Sequence, residues 1–131
     1  MSIRMLIIDD EESIRESIQL YFDHHGYSVD VAGSVREATE HLVAAPYDIV
    51  ITDLRLTQLP GYGGLEILRI VKDNAPKTVT ILLTAYGSDE IERQAHELGV
   101  DRVIAKPLPL SELAGVITAL LRQREQRSHG S

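Results

Sequence analysis

The chain has 131 residues, a net charge of −7 and no cysteine. This length suits one compact domain with a buried core, and the acidic balance argues against direct binding of nucleic acid, which depends on clustered lysine and arginine. The absence of cysteine excludes disulfides and thiolate metal sites, and it is compatible with a reducing compartment.

The apolar runs of the chain are short. A membrane-spanning helix needs roughly 20 consecutive apolar residues, and no run in the sequence approaches that length. The N-terminal residues Met1, Ser2, Ile3 and Arg4 do not begin a signal peptide. The sequence therefore predicts a cytoplasmic protein with no membrane partner.

Short β-rich runs alternate along the chain with longer segments of helical period. This alternation predicts an α/β fold with a doubly wound parallel sheet that helices cover on both faces. Five such pairs are predicted, with strands at 5–8, 27–31, 48–52, 79–83 and 103–105.

The first two helices have recognisable ends. Ile14, Ile18 and Phe22 share one face of the first, and Gly26 ends it, since glycine readily adopts a left-handed cap. The second opens at residues 34–37, Ser-Val-Arg-Glu, which have the form of a capping box. Pro46 follows its end.

The later helices have weaker boundaries. After an irregular stretch rich in glycine and proline, the third helix is predicted to begin at Gly64. Ser88 is a candidate cap for the fourth, which Gly99 ends. The last helix is amphipathic as far as Leu120. We therefore predict one domain at residues 3–122, followed by a polar segment, 123–131, that is a frayed linker or an added tail.

Four of the five predicted strands end in a reactive side chain. The first runs into Asp9 and Asp10, the third into Asp53, the fourth into Thr84 and the fifth into Lys106. Since parallel strands bring their carboxyl ends to one edge of the sheet, where open α/β folds bind ligands, the sequence predicts a pocket there.

The composition of this pocket indicates phosphoryl chemistry. Carboxylates are the ligands that Mg²⁺, or Mn²⁺, takes together with phosphate oxygens. A carboxylate can itself attack phosphorus, while a metal ion and a lysine neutralise the equatorial oxygens. Asp53 is the candidate nucleophile because it ends a central apolar strand, whereas Asp9 and Asp10 are paired as if to hold a cation.

Each of these residues also has an ordinary structural explanation. Asp9 and Asp10 could lie in a solvated turn that favours a helix start, and Asp53 could end a strand in a turn. Thr84 could bond to the backbone, and Lys106 before Pro107 could be exposed. Their joint occurrence, one group per strand end, favours a site.

At these residues the chain resembles the receiver domain of two-component response regulators. The matching segments, in order, are Ile-Ile-Asp-Asp-Glu at 7–11, Ile-Thr-Asp-Leu at 51–54, Gly-Leu-Glu-Ile-Leu at 64–68, Leu-Thr-Ala at 83–85, Gly-Val-Asp at 99–101 and Lys-Pro at 106–107. The resemblance covers residues 3–122. It implies a flavodoxin/CheY-like three-layer sandwich, (βα)5, with strand order 2-1-3-4-5.

The resemblance also implies roles for individual residues. Asp53 would be the phosphoacceptor and one of the Mg²⁺ ligands, Asp10 a direct ligand, Asp9 a ligand mainly through water, and the carbonyl of Arg55 a further ligand. Thr84 would hydrogen-bond the phosphoryl oxygen and Lys106 would pair with it, with Ala85 leaving room. A cis peptide is expected at Lys106-Pro107, against about 5–6% for X-Pro bonds in folded proteins.

Two positions depart from the family pattern. Val103 stands where receivers commonly carry an inward-turning aromatic ring, so we expect switching to depend on Thr84, with Tyr86 as the nearest aromatic able to move. Thr57 replaces a usual proline, and the helix start at Gly64 falls about three residues late. The loop at 57–63 is therefore predicted to be enlarged, irregular and exposed, as a partner contact or a solvated excursion.

The predicted function is a phosphoacceptor switch that takes a phosphoryl group from a histidine kinase or phosphotransfer protein onto Asp53. It would catalyse its own phosphorylation and slow hydrolysis, and act on an output domain or effector protein. A homodimer through the fourth helix, fifth strand and fifth helix is a further possibility.

Two alternatives remain open. A degenerate receiver would act only as a protein-interaction module, and Val103 is the one feature in its favour. A flavodoxin-like binder or phosphohydrolase would share the fold, although Arg55 occupies the second acidic position of the Asp-x-Asp hydrolase motif and no strand end carries a phosphate-binding glycine loop.

Overall fold

The computed structural model describes residues 2–56, 62–85 and 87–129, with side chains described as far as Arg127. Within these residues, five strands alternate with five helices. The elements are β1 (Arg4–Ile8), α1 (Glu12–His24), β2 (Ser28–Ala32), α2 (Val35–Ala44), β3 (Ile49–Asp53), α3 (Gly63–Asn74), β4 (Val79–Thr84), α4 (Asp89–Glu97), β5 (Arg102–Ala105) and α5 (Leu110–His129).

The strands form one parallel sheet in the order β2-β1-β3-β4-β5, which confirms the predicted topology. Alternate residues of each strand face opposite sides, as the pleat requires. Met5 and Ile7 join a core with α1 and α5, while Leu6 and Ile8 join one with α2 and α3. The sheet is therefore the middle of three layers.

Helix ends follow the sequence signals, with one difference. The Ser34 hydroxyl accepts from the Glu37 N–H, and the Ser88 hydroxyl accepts from the Ile91 N–H. The Glu37 carboxylate, however, accepts from the N–H of Gly33, one residue before the cap, rather than from Ser34 itself. Each predicted strand shifts by one residue at one or both ends, for example β2, which runs from Ser28 to Ala32, and α3 begins at Gly63, one residue before the predicted start.

The last helix is longer than the sequence predicted. The polar segment after Arg122 was expected to fray, but α5 continues through His129. The reason is a contact between residues that are distant in sequence. Arg124 donates to the carbonyl oxygen of Asp48 (3.1 Å) and to the Asp48 carboxylate (3.3 Å), beside the start of β3. The boundary of the domain at residue 122 stays a prediction. No helix among the described residues is long and apolar enough to cross a bilayer.

Candidate functional site

The structure brings the four reactive strand ends to one edge of the sheet. Asp9 directly follows β1, Asp53 and Thr84 are the last residues of β3 and β4, and Lys106 directly follows β5. The strand register sets them side by side, since Asp53 is level with Leu83, and Thr84 with Ala105. Their placement agrees with the sequence analysis, while their chemical roles stay predictions.

Three carboxylates converge at this edge. Asp9, Asp10 and Asp53 each offer an oxygen within 4.8 Å of the others. Asp9 is buried, with 2% of its surface exposed, and Asp10 and Asp53 are partly buried. Hard carboxylate oxygens at this spacing fit the donor preference of Mg²⁺, which keeps several waters and takes few protein ligands. The residues present therefore suit a divalent cation.

Lys106 supplies the positive charge of the site and bridges two of the carboxylates. Its ammonium lies 3.0 Å from Oδ2 of Asp9 and 3.5 Å from Oδ1 of Asp53. The shorter of the two contacts is therefore with Asp9. The Lys106-Pro107 peptide bond is cis, as predicted.

The surroundings of Asp53 raise its pKa in the metal-free fold. Burial raises the pKa of the Asp53 carboxyl, and the neighbouring Asp9 charge adds to this, while Lys106 and the Leu54 N–H (2.9 Å) act in the opposite direction. Burial acts to lower the pKa of Lys106, but its contacts with Asp9 and Asp53 outweigh that effect and the pKa is raised. A bound cation would reverse the penalty at Asp53.

Asp53→Asn is expected to stabilise the metal-free protein at neutral pH. Because the pKa of Asp53 is raised on folding, charging it costs stability. This cost is absent below the pKa that Asp53 has in the unfolded chain, and it is complete above the raised pKa of the folded protein. The melting temperature of the variant, measured in the presence of a chelator, should therefore increase relative to that of the wild type as pH rises from about 3 to 7. A pH-independent difference would contradict this account.

A cleft of about 260 Å³ opens beside the carboxylates. Thr84 and Ala85 both line it, Thr84 as a buried residue and Ala85 as an exposed one. The exposed guanidinium of Arg55 lies 5.7 Å from the centre of the Tyr62 ring. The lining residues are Asp10, Glu11, Ile14, Asp53, Leu54, Arg55, Thr84, Ala85 and Lys106.

Some predicted features lie outside the described residues. These are Tyr86 and residues 57–61, so the predictions made for them stay as they were. Of the remaining loop residues, Tyr62 is exposed as expected, but Gly63 is buried and helical, which corrects the prediction there. Val103 is partly buried and packs against a cluster that includes Leu54 and Leu82.

Sequence reasoning missed two contacts to the site. Gly64 was noted only as a helix start, yet its N–H donates to the Leu54 carbonyl (2.9 Å) and its Cα lies against the backbone of Asp53. Arg15 on α1 was not considered, yet it donates to the carbonyl of Asp9 (2.7 Å). A glycine just after an irregular loop is a sign of close backbone approach, whereas no local pattern indicates the arginine contact.

Comparison with known proteins gives a consistent result. A family model described as the response regulator receiver domain matches residues 5–118. The transcriptional regulatory protein ResD of Bacillus subtilis is 33% identical over 126 residues, which are 96% of this chain and 51% of ResD. The response regulator protein PilR of Pseudomonas aeruginosa is 33% identical over 92% of this chain and 26% of its own length. The chain thus spans about half of one relative and a quarter of the other.

Solved structures agree with these sequence matches. A CheY-like response regulator receiver domain protein from Methanospirillum hungatei superposes with a TM-score of 0.91 at 25% identity, covering 97% of this chain and 99% of that one. The beryllofluoride-activated NtrC4 receiver domain, solved as a dimer, has a TM-score of 0.83 at 26% identity and covers 92% of this chain and 98% of its own.

Proposed function

The chain belongs to the response regulator receiver domain family, and from this membership we propose that it accepts a phosphoryl group on Asp53 from a histidine kinase or a phosphotransfer protein. The observation that carries the proposal is the geometry around Asp53. Its carboxylate lies 3.5 Å from the Lys106 ammonium and within 4.8 Å of oxygens of Asp9 and Asp10, beside an open cleft.

The proposed reaction is a displacement at phosphorus. An Oδ of Asp53 forms the new O–P bond as the bond from phosphorus to the donor's histidine nitrogen breaks, and the nitrogen keeps the electron pair. Lys106 would balance charge on the transferred group, and the Thr84 hydroxyl would donate to one of its oxygens. Asp9, Asp10, Asp53 and the Arg55 carbonyl would hold Mg²⁺, which would supply positive charge against the phosphoryl oxygens. Slow hydrolysis of the acyl phosphate would reset the switch.

The test is the intact mass of the protein after incubation with a small phosphodonor. With Mg²⁺ present, the mass should increase by one phosphoryl group, and a chelator should prevent the increase because three clustered carboxylates repel the incoming anion. No mass increase with Mg²⁺ would contradict the proposal and leave a binding module without phosphorylation.

The proposed signal is a shift between two conformations, passed to an output domain or effector protein, with a homodimer through α4, β5 and α5 as one possible form. A neighbouring structure, the NtrC4 receiver domain, is a dimer. Thr84 ends β4 and Val103 lies on the adjacent strand β5 with no ring to move. Coupling is therefore expected to run through the Thr84 loop.

Thr84→Ala is expected to keep phosphorylation at Asp53 but to lose most of the response to it. Val103→Ala should instead keep the response and cost only packing, about 0.5–3 kcal/mol. Amide hydrogen exchange in α4, β5 and α5, with and without beryllofluoride, measures the response in both variants, and dimerisation gives a second measure. The reverse pattern, with Val103→Ala uncoupled and Thr84→Ala intact, would show that the signal takes another route.

A further inference from the structure

The side chain of Arg15 contacts the backbone beside the acidic pocket. Arg15 lies on α1 and is partly buried, and its Nη1 donates to the carbonyl oxygen of Asp9 at 2.7 Å. Among the described residues, no acidic side chain forms an ion pair with Arg15. The polar contact of its side chain observed there is the hydrogen bond to the neutral carbonyl of Asp9. The guanidinium is therefore directed at the main chain rather than at a carboxylate.

Gly33 provides the space that this guanidinium occupies. A Cβ at Gly33 would lie 2.9 Å from Nη1 and 3.5 Å from Cζ of Arg15. The glycines with a left-handed backbone among the described residues are Gly26 and Gly99, so Gly33 is not needed there for its conformation. Room for the Arg15 side chain is what a residue with a Cβ would remove.

With this contact, Asp9 is constrained at every polar atom. Its N–H donates to the carbonyl of Ala32 (3.1 Å), its Oδ1 accepts from the Glu11 N–H (2.9 Å), and its Oδ2 accepts from Lys106 (3.0 Å). The Arg15 bond fixes the remaining atom, the carbonyl oxygen. One helix, two strand ends and the turn after β1 thus meet at a single residue.

The Asp9 carbonyl belongs to the peptide plane that also carries the nitrogen of Asp10. Because a peptide unit is planar, a bond that fixes this oxygen also fixes the direction in which Asp10 leaves the strand. Asp10 is only partly buried, and no hydrogen bond of its carboxylate is seen among the described residues that would orient it otherwise. Its position relative to Asp9 and Asp53 therefore depends on the backbone.

We propose that Arg15 is a positioning residue for the cation site, which orients the Asp9–Asp10 peptide through the space left by Gly33. The inference rests on the proposed function, because it assumes that the three carboxylates hold Mg²⁺. It assigns Arg15 no contact with the cation or with phosphate. The effect of Arg15 is to hold Asp10 where all three carboxylates can share one ion.

Isothermal titration with Mg²⁺ alone tests this inference on Arg15→Met, which keeps the apolar stem of the side chain. We expect binding to weaken about 10-fold, at the lower end of the range for groups that hold a metal ligand in place. Arg15→Lys should recover part of the loss, since an ammonium can still donate one hydrogen bond. The control is Arg36→Met, which removes the same charge from an exposed position on α2 whose observed partner is Glu40.

A second variant separates positioning from general stability. Gly33→Ala should weaken Mg²⁺ binding in the same direction, because the new methyl group displaces the flexible end of Arg15 while the fold remains. In the Arg15→Met background the same change should have little effect on Mg²⁺ binding, since the guanidinium that it would displace is already absent. Equal effects in the two backgrounds would overturn the inference, and so would unchanged binding in Arg15→Met. If Arg15→Met does not fold, Gly33→Ala alone decides, by weakened or unchanged binding.

The wild-type titration distinguishes this inference from the proposed function. If wild-type protein neither binds Mg²⁺ nor takes up a phosphoryl group, the proposed function fails and the inference falls with it. If wild-type protein does both while Arg15→Met and Gly33→Ala bind Mg²⁺ as tightly as wild type, only the role of Arg15 is refuted.

Discussion

Asp53→Asn is expected to abolish uptake of a phosphoryl group under conditions that label the wild type. The amide oxygen is a far weaker nucleophile than a carboxylate, and the substitution also removes one of the three carboxylates that cluster at this edge. The amide can still accept the hydrogen bond from the Leu54 N–H, so the local backbone should keep its conformation. Intact-mass measurement with a small phosphodonor and Mg²⁺ detects the loss.

The matched control for this experiment is Asp73→Asn. Asp73 lies exposed near the end of α3, away from the three carboxylates, and the substitution makes the same chemical change. It should be labelled like the wild type. Labelling of Asp53→Asn to the wild-type level would move the acceptor to another residue and refute the central assignment.

The edge of the sheet could be predicted because it depends on few variables. Once the alternation of strands and helices implies parallel strands, the residues that follow each strand must meet, whatever the details of packing. Asp9, Asp53, Thr84 and Lys106 are adjacent in the structure for this reason. The cap at Ser34 could also be predicted from the sequence, because its partner, Glu37, lies only three residues away.

Contacts that depend on distant residues could not be predicted in this way. The helix beyond Arg122 has no apolar period, and what holds it is the bond from Arg124 to Asp48, 76 residues earlier. Lys106 lies closer to Asp9 than to Asp53, but the distances from its ammonium to the two carboxylates differ by only about half an ångström. The sequence identifies both carboxylates as partners of Lys106, but not which of them it contacts more closely.

Gly64→Ala is expected to destabilise the protein by about 1–3 kcal/mol, toward the upper end, and to slow phosphorylation. A Cβ at Gly64 would lie 2.8 Å from the Cα of Leu54 and closer still to the carbonyl oxygen of Asp53. Both are backbone atoms at the end of a central strand, so neither side can rotate away. The start of α3 would have to withdraw from Asp53, and the bond from the Gly64 N–H to Leu54 would lengthen.

Two other glycines serve as controls because their surroundings differ. At Gly63 an added Cβ meets side chains of Leu56 and Val35 at 3.1 Å, which can adjust, so Gly63→Ala should cost less than Gly64→Ala. At Gly115, within α5, an added Cβ meets nothing within 4 Å. Gly115→Ala should therefore stabilise the protein by about 0.5–1 kcal/mol, since alanine loses less entropy in a helix.

Denaturant unfolding of the three variants tests the order of these effects, with Gly64→Ala the most destabilised and Gly115→Ala more stable than the wild type. The opposite signs matter because all three substitutions make the same chemical change. If Gly64→Ala were as stable as the wild type, α3 would not be pressed against the Asp53 backbone. If it were destabilised but phosphorylated at the wild-type rate, the contact would support the fold without positioning the acceptor.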